Sequence, residues 1–254
     1  MIRELAENPN LHQPLGPGRR LHRDPAGRFA IYLGEGRSPH AATVQRVRVG
    51  GDGVEDVLAE IRALLDAEGR EGAEWELGES SEPADLVARL LELGLVPDGD
   101  DPVAFGMVLR GVPPEPPAGV VARPVASLAE LRAAREVQQS AFSTGSPIDE
   151  EQLRHDHARE GVDGTTFVAF VDGELVAAAY AAHTPYGSIL FGGATLPTAR
   201  GRGAYRALVA ARAAEAAARD APTVVTHAGR MSLPILERLG FERVARIDRL
   251  LDVL

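Results

Sequence analysis

The chain has 254 residues with a net charge of −10, and its 44% hydrophobic and 25% charged residues are typical of a globular protein. All 27 basic residues are arginine, because the sequence contains no lysine, and it contains no cysteine either. These absences exclude disulfides, lysine Schiff bases, a P-loop lysine, thiolate nucleophiles, and zinc or iron–sulfur centres ligated by cysteine.

The sequence pattern of the first part of the chain predicts an initial segment without regular structure, followed by alternating strands and helices. Residues 1–26 have no apolar periodicity, and the first twenty lack the apolar core of a secretory signal or membrane anchor. The apolar patterns that follow predict strands over 28–34 and 41–49, a helix over 54–68, a strand over 73–78, a helix over 83–93 and a strand over 103–110.

A proline-rich segment, residues 112–118, predicts an extended linker between two domains, 1–111 and 119–254. Residues 1–118 contain 12 arginines against 21 acidic residues, whereas residues 119–254 contain 15 against 16. The acidic half either presents a solvated surface or attracts a cationic substrate or partner, and both alternatives stay open. Either one argues against binding a nucleic-acid backbone.

The second part of the chain predicts a further set of alternating elements. These are a strand over 120–125, a helix from Ser127 to Phe142, a loop to Pro147, a helix over 149–160, strands over 166–171 and 174–182, a strand over 188–196, a helix over 207–220, a strand over 223–226, a helix from Ser232 and a last strand over 243–250. Residues 175–199 carry no charge, but a His-Thr-Pro-Tyr-Gly interruption favours two buried strands and a turn over a membrane span.

Residues 195–206 combine a strand end, a turn rich in glycine and arginine, and the start of an alanine-rich helix. A helix N-terminus has unpaired N–H groups, glycine lets an anion approach the backbone, and arginine adds charge, so the segment predicts a phosphate site. A Walker loop is excluded because lysine is absent. A dinucleotide fingerprint is excluded because Arg206 stands where the third glycine belongs.

The same segment resembles the acyl-CoA motif of the GNAT superfamily of N-acetyltransferases, Arg/Gln-x-x-Gly-x-Gly/Ala with a proline before it. Pro197, Arg200 and Gly203 match the motif, and Tyr205 stands where the family has glycine or alanine. The helix that ends in Leu239-Gly240-Phe241 resembles a second family feature. The resemblance covers 119–254 and implies an α/β (α+β) fold, a mixed, mostly antiparallel sheet flanked by helices.

The resemblance also implies the cosubstrate and the reaction. It implies direct transfer of an acetyl group from acetyl-CoA to a primary amine of a small molecule or peptide in a ternary complex, without a metal, in the cytoplasm. It places the pantetheine arm beside Gly193, Ala194 and Thr195, and the diphosphate at the amides of Arg200, Gly201, Arg202, Gly203, Ala204 and Tyr205. No membrane or nucleic-acid partner is expected, and a homodimer is left open.

The catalytic residues are less defined by the sequence. Many family members use a tyrosine as general acid at the position that Leu236 occupies here. Ser232 is a substitute acid or a helix cap, and His183 and His227 are candidate bases or structural histidines. A rival hypothesis is therefore a CoA-binding sensor or interaction protein with little or no turnover.

The sequence contains a candidate internal repeat. Residues 90–95 resemble residues 236–241 at an offset of 146, which is either a second copy of the domain or a chance match. In the same frame the turn at 50–56 carries carboxylates where the later turn has arginines, and carboxylates at a helix N-terminus repel a diphosphate. We therefore expect residues 1–111 to form a smaller, degenerate GNAT-like domain that does not bind CoA.

Overall fold

The computed structural model describes residues 1–99, 101–110, 115, 117–142, 147–221 and 223–254. Most of the predicted linker and of the predicted loop after Phe142 lie outside the described residues. The chain forms two compact units, which we call the central unit and the terminal unit. The central unit comprises Met1–Ile2, Val108–Thr226 and Leu236–Glu242, and the terminal unit comprises Arg3–Met107, His227–Ile235 and Arg243–Leu254.

The terminal unit contains a mixed sheet with helices. Its elements are α1 (Ile2–Glu7), β1 (Arg20–Arg23), β2 (Ala30–Leu33), β3 (Ala42–Gln45), α2 (Val54–Ala67), β4 (Gly72–Gly78), α3 (Leu86–Glu92), β5 (Val96–Pro97), β6 (Val103–Leu109) and β12 (Glu242–Val253). The strand order is β1-β2-β3-β4-β12-β6, with β5 paired to β12. Strands β3 and β4 are parallel and are joined through α2, whereas β1–β2, β2–β3 and β4–β12 are antiparallel.

Alternation along β4 separates an apolar face of this sheet from a polar one. Trp75 and Leu77 pack with Ile61 and Leu65 of α2 in one buried cluster, as the apolar stripe of the predicted helix requires. Glu74 and Glu76 are also buried, and ion pairs with Arg249 and His227 compensate their charge. The core of this unit thus lies between α2 and the sheet.

The last strand, β12, lies in the terminal unit from Arg243 onward, although it is the final strand of the C-terminal half of the sequence. Seven residue pairs from Ile247–Gly78 to Val253–Gly72 join it to β4. Asp252 is 1% exposed and accepts a forked pair of hydrogen bonds from Arg62 of α2. These ladder bonds and this ion pair explain why β12 belongs to the same compact unit as β4. The domain boundaries 1–111 and 119–254 stay a prediction.

Among the described residues, the central unit contains the remaining strands and four helices. Its elements are β7 (Val120–Pro124), α4 (Leu128–Phe142), α5 (Glu150–Ala158), β8 (Gly164–Val171), β9 (Glu174–Thr184), β10 (Gly187–Thr195), α6 (Ala204–Ala218), β11 (Val224–Ala228, through Thr226) and α7 (Leu233–Arg238, from Leu236). The strand order is β11-β10-β9-β8-β7, antiparallel except for the parallel pair β10–β11. The predicted mixed, mostly antiparallel sheet flanked by helices is confirmed.

Local signals account for several of these elements. Asp172 and Gly173 both have positive φ, 53° and 83°, which gives the tight turn that an Asp-Gly pair favours between β8 and β9. At the start of α4, Ser127 Oγ accepts from the Glu130 N–H at 3.2 Å, as the capping signal predicts. The prediction of an initial segment without regular structure over 1–26 is wrong in part, because α1 and β1 lie within it. These two elements are too short to show periodicity.

The candidate repeat has matching local geometry at both of its helix ends. Leu95 N–H donates to Leu90 O at 3.0 Å, and Phe241 N–H donates to Leu236 O at 3.0 Å. Gly94 and Gly240, at the equivalent position in each, have φ of 100° and 89°. Both are left-handed helix caps of the Schellman type. Identical capping at an offset of 146, together with a parallel strand–helix–strand unit in each half, supports an internal duplication.

Candidate cofactor site

Strand β10 departs from regular pairing at the centre of the central unit. Its pairing with β9 shifts register between Phe191 and Ala194, and Gly192 inside this bulge has a φ of 57°. Gln138 of α4 donates to the Gly192 carbonyl at 2.9 Å and fixes the bulge. Within the described residues, β10 pairs with the parallel strand β11 only at Ser188 and Ile189. Beyond Ile189, β11 contacts β10 through a side-chain hydrogen bond, from Thr226 Oγ1 to Leu190 O at 3.0 Å, and no backbone pairing of the described residues continues along this edge.

The turn after β10 exposes the amides that begin α6. Gly201 and Gly203 have φ of 79° and 89°, which favours glycine at both positions. The first hydrogen bond of the helix runs from Ala207 N–H to Gly203 O at 3.0 Å, and Gly203 supplies no side-chain cap. The N–H groups that precede Ala207 in the helix consequently have no partner in it, and the positive end of the helix dipole lies there. Amides and dipole together suit a bound anion.

The three arginines of the turn are exposed. Arg202 forms an ion pair with Asp172 of the β8–β9 turn, and Arg200 Nε donates to Thr195 O at 3.4 Å. The hydroxyl of Thr195 is buried without a hydrogen-bond partner among the described residues. Of the predicted cofactor residues, 193–195 are the last three of β10, 200–203 form the turn, and Ala204 and Tyr205 begin α6.

Tyr205, the departure from the family motif, packs against the strand. A β-carbon at Gly193 would lie 2.8 Å from Tyr205 Cε2, so the ring occupies the space that any larger residue at 193 would need. Burial raises the pKa of the Tyr205 hydroxyl. The tyrosine at position 205 is therefore accommodated by the glycine at position 193, inside the bulge of β10.

Arg212 is a functional candidate that the sequence did not reveal, because one arginine within an alanine-rich helix gives no pattern. Only 2% of the surface of Arg212 is exposed to solvent. The guanidinium donates to two backbone carbonyls, Leu208 O at 3.1 Å and Tyr180 O at 3.2 Å. Burial lowers the pKa of Arg212 to about 10. No carboxylate of the described residues forms an ion pair with it.

His183 lies in a polar cluster between the sheet and α6. Its Nε2 is 3.0 Å from Thr165 Oγ1 and 3.8 Å from Glu215 Oε2, and its Nδ1 is 3.4 Å from Ser188 Oγ. The Thr165 hydroxyl donates to Glu215 Oε1 at 2.9 Å, so its oxygen is left to accept from Nε2 and the lone pair belongs on Nδ1. Burial lowers the pKa of His183, against the opposing effect of Glu215, and the ring is neutral at pH 7.

His227 belongs to the terminal unit and has a different environment. Its Nδ1 is 3.3 Å from Glu76 Oε1, and its Nε2 is 3.0 Å from Ala6 O. Both neighbours are acceptors, so the ring donates from both nitrogens when it is protonated. Burial alone would lower the pKa of His227, but Glu76 and the Ala6 carbonyl raise it.

Ser232 and Leu236 lie at the helix α7. Ser232 Oγ donates to Gly229 O at 3.4 Å in the turn before the helix. Leu236 is fully buried and has no acidic proton, so it cannot supply the role that the family's tyrosine has. The structure does not gather the three catalytic candidates in one unit, because His183 lies in the central unit while His227 and Ser232 lie in the terminal one.

The turn before α2 in the terminal unit corresponds to the turn before α6, but it differs from it in backbone conformation and in charge. Gly51–Gly53 forms a short 3-10 turn, and Gly53, which precedes α2, has a φ of −102°. The adjacent groove has a volume of about 580 Å³, and its lining includes four carboxylates, from Asp52, Glu55, Asp85 and Glu92. This turn has lost both the left-handed glycines and the arginines.

One group of three side chains among the described residues has the spacing of metal ligands: His40, Glu74 and Asp98. Arg249 already forms ion pairs with both carboxylates, at 3.1 Å in the case of Asp98. Their charge is thus compensated by the protein.

Comparison with known proteins agrees with this geometry. Residues 131–241 match the acetyltransferase (GNAT) family, so the chain contains a GNAT domain. A GCN5-related N-acetyltransferase from Kribbella flavida is 24% identical with a TM-score of 0.68, over 99% of this chain and 95% of that one. Another from Sphaerobacter thermophilus is 19% identical with a TM-score of 0.65, over 94% of this chain and 82% of that one.

A tandem GNAT protein from the clavulanic acid biosynthesis pathway, solved without AcCoA, is also similar. It is 17% identical with a TM-score of 0.60, over 99% of this chain and 87% of that one. These likenesses show that the fold is that of the GNAT acetyltransferases. No curated protein matches the sequence with significance. Among the described helices, none has the length and apolar character needed to cross a membrane.

Proposed function

We propose that this protein is an acyl-CoA-dependent N-acyltransferase that transfers acetyl directly from acetyl-CoA to a primary amine of a small molecule or peptide. The observation that carries the proposal is the bulged strand β10 running into a turn with open amides at the start of α6. Its free edge suits the pantetheine arm beside Gly193, Ala194 and Thr195, and its turn suits the diphosphate. Within the four residues from Arg200 to Gly203, two arginines supply positive charge and two glycines have left-handed backbone conformations.

The absence of cysteine supports transfer within a ternary complex, because no thiol can carry the acyl group. His183 is the candidate base, since a neutral buried imidazole can take the proton of an ammonium. His227 is better suited to a structural role, because acceptors occupy both of its nitrogens. Ser232 stays the candidate acid. We further propose that the N-terminal half does not bind CoA, since its acidic turn repels a diphosphate.

The test is a panel of amines incubated with acetyl-CoA and read by mass spectrometry. We expect an acetylated product from at least one small-molecule or peptidic amine. Double-reciprocal plots of initial velocity, measured at several concentrations of the second substrate, should give intersecting lines, as a ternary complex requires. Parallel lines would contradict direct transfer. Binding of CoA without product from any acceptor would favour the rival hypothesis, a CoA-binding sensor, which the leucine at position 236 motivates.

A double variant tests the site itself. Arg200→Glu with Gly203→Glu places two carboxylates at the turn, so calorimetry should show at least a hundredfold weaker CoA binding, on the order of 3 kcal/mol. The matched control is Asp52→Glu with Glu55→Asp in the acidic turn, which should leave CoA binding unchanged. Equal CoA affinity in the double variant and the parent would contradict the assignment of the CoA site to this turn.

A further inference from the structure

The buried guanidinium of Arg212 has no counter-ion among the residues that the structure describes. Its polar partners are two backbone carbonyls, which satisfy hydrogen bonds but carry no net charge. Isolated buried charges are costly, and folded proteins normally pair them. The cation is therefore held ready for an anion that the described residues do not provide.

The position of Arg212 on α6 indicates where that anion binds. Its side chain leans toward the N-terminus of the helix, because Nε bonds the carbonyl of Leu208 four residues earlier. Its Nη2 lies 3.7 Å from the point that a β-carbon on Gly193 would occupy, beside the ring of Tyr205. Tyr205 is in the first turn of the helix, about 10 Å along the axis from residue 212, so the charge lies within about 10 Å of the open amides.

We propose that Arg212 is a fourth, buried cation of the diphosphate site, and that the CoA diphosphate balances its charge. The inference rests on the proposed CoA site and adds a residue that positions the ligand electrostatically without touching it. Water and dissolved ions screen the attraction between the exposed arginines and the diphosphate, whereas the field of a buried charge is screened much less.

The test compares CoA, pantetheine and inorganic pyrophosphate by calorimetry. Arg212→Met should weaken CoA and pyrophosphate binding about tenfold, which corresponds to about 1.4 kcal/mol, and leave pantetheine unchanged. Arg212→Lys keeps the charge and should retain most of the CoA affinity. Arg154→Met, at an exposed position on α5, is the matched control and should change none of the three.

Two further readouts keep the variant interpretable. Without ligand, Arg212→Met should melt at the same temperature as the parent or higher, because it removes an uncompensated buried charge. Its tenfold loss should persist in 1 M NaCl, where the contribution of Arg202 disappears. Unchanged CoA affinity, or equal weakening of CoA and pantetheine, would overturn the inference alone. A parent protein that binds no CoA would overturn the proposed function and this inference together.

Discussion

At the scale of single residues, the environment of His183 decides whether it can act as a base. Two hydroxyls and the carboxylate of Glu215 surround its ring, and only 10% of the side-chain surface is exposed. A histidine whose folded pKa lies below its ordinary 6.5 stays neutral at pH 7 and becomes charged only in more acidic solution.

This predicts the pH dependence of the reaction. As a base, His183 is active when neutral, so kcat/KM should rise with pH through a pKa below 6.5 and then level off. His183→Gln should remove that rise and lower kcat by about a hundredfold, measured by release of the CoA thiol. The exposed His155 gives the control His155→Gln, which should keep the profile. An unchanged rise in the His183 variant would assign the base to another group.

A second residue, Asp24, predicts the acid sensitivity of the fold. It is 2% exposed at its side chain and accepts from Arg28 Nη2 at 2.7 Å, Nε at 3.0 Å and N at 2.9 Å. These bonds lower the pKa of Asp24 to about 2 from 3.8, so its stabilisation is present above pH 4 and is lost as pH falls toward 2.

Asp24→Asn should therefore lower the free energy of unfolding by about 1 kcal/mol at pH 7 and by much less near pH 2, where the carboxyl is about half protonated. Urea denaturation at both pH values measures the difference. Asp66→Asn, outside any ion pair of the described residues, should change the stability by less than about 0.5 kcal/mol at either pH. An equal loss at both pH values would show that the ion pair is not the cause.

At the scale of elements, the two strand–turn–helix segments of the repeat differ in the backbone conformation of the residue that precedes the helix, in addition to their difference in charge. Gly203 has a φ of 89°, and a β-carbon there would lie 2.9 Å from Pro117 Cγ, whereas Gly53 has a φ of −102° and open space around it. The same position in the two turns thus tolerates different side chains.

Alanine at these two positions tests the difference. Gly203→Ala should cost about 1–2 kcal/mol of stability and weaken CoA binding, because the left-handed turn and the contact with Pro117 both oppose a methyl group. Gly53→Ala should be neutral or slightly stabilising and should leave CoA binding unchanged. Thermal unfolding and calorimetry measure both effects. A tolerated alanine at 203 would contradict the assigned turn geometry.

At the scale of the whole molecule, the chain returns at its end to the terminal unit, which also contains Arg3–Met107. Ile247, Leu250 and Asp252 of β12 are buried in the terminal unit, and they pair with a strand that lies more than 160 residues earlier in the sequence. The last strand of the C-terminal half of the sequence is consequently paired with a strand of the N-terminal half.

Separating the halves tests this arrangement. Residues 119–254 expressed alone should aggregate, because β12 loses β4 and exposes a hydrogen-bonding edge. Co-expressed with residues 1–118, the same fragment should stay in solution and co-purify with it. A second fragment, 119–241, lacks β12 and should fail to co-purify. Recovery of a folded 119–254 fragment by itself would contradict the dependence on β4.

The sequence alone determined the features that depend on local chemistry. These features are the turn of glycine and arginine at 200–203, the Asp-Gly hairpin and the two Leu-Gly helix ends, each of which depends on residues close together in the sequence. The turn and the later Leu-Gly helix end also carry the family resemblance, and it was the resemblance that implied the class of fold. The tertiary structure alone decided the partner of β12, the environments of His183 and His227, and the burial of Arg212. Each depends on contacts between residues distant in sequence, since strand pairing and desolvation arise only when separate elements pack together.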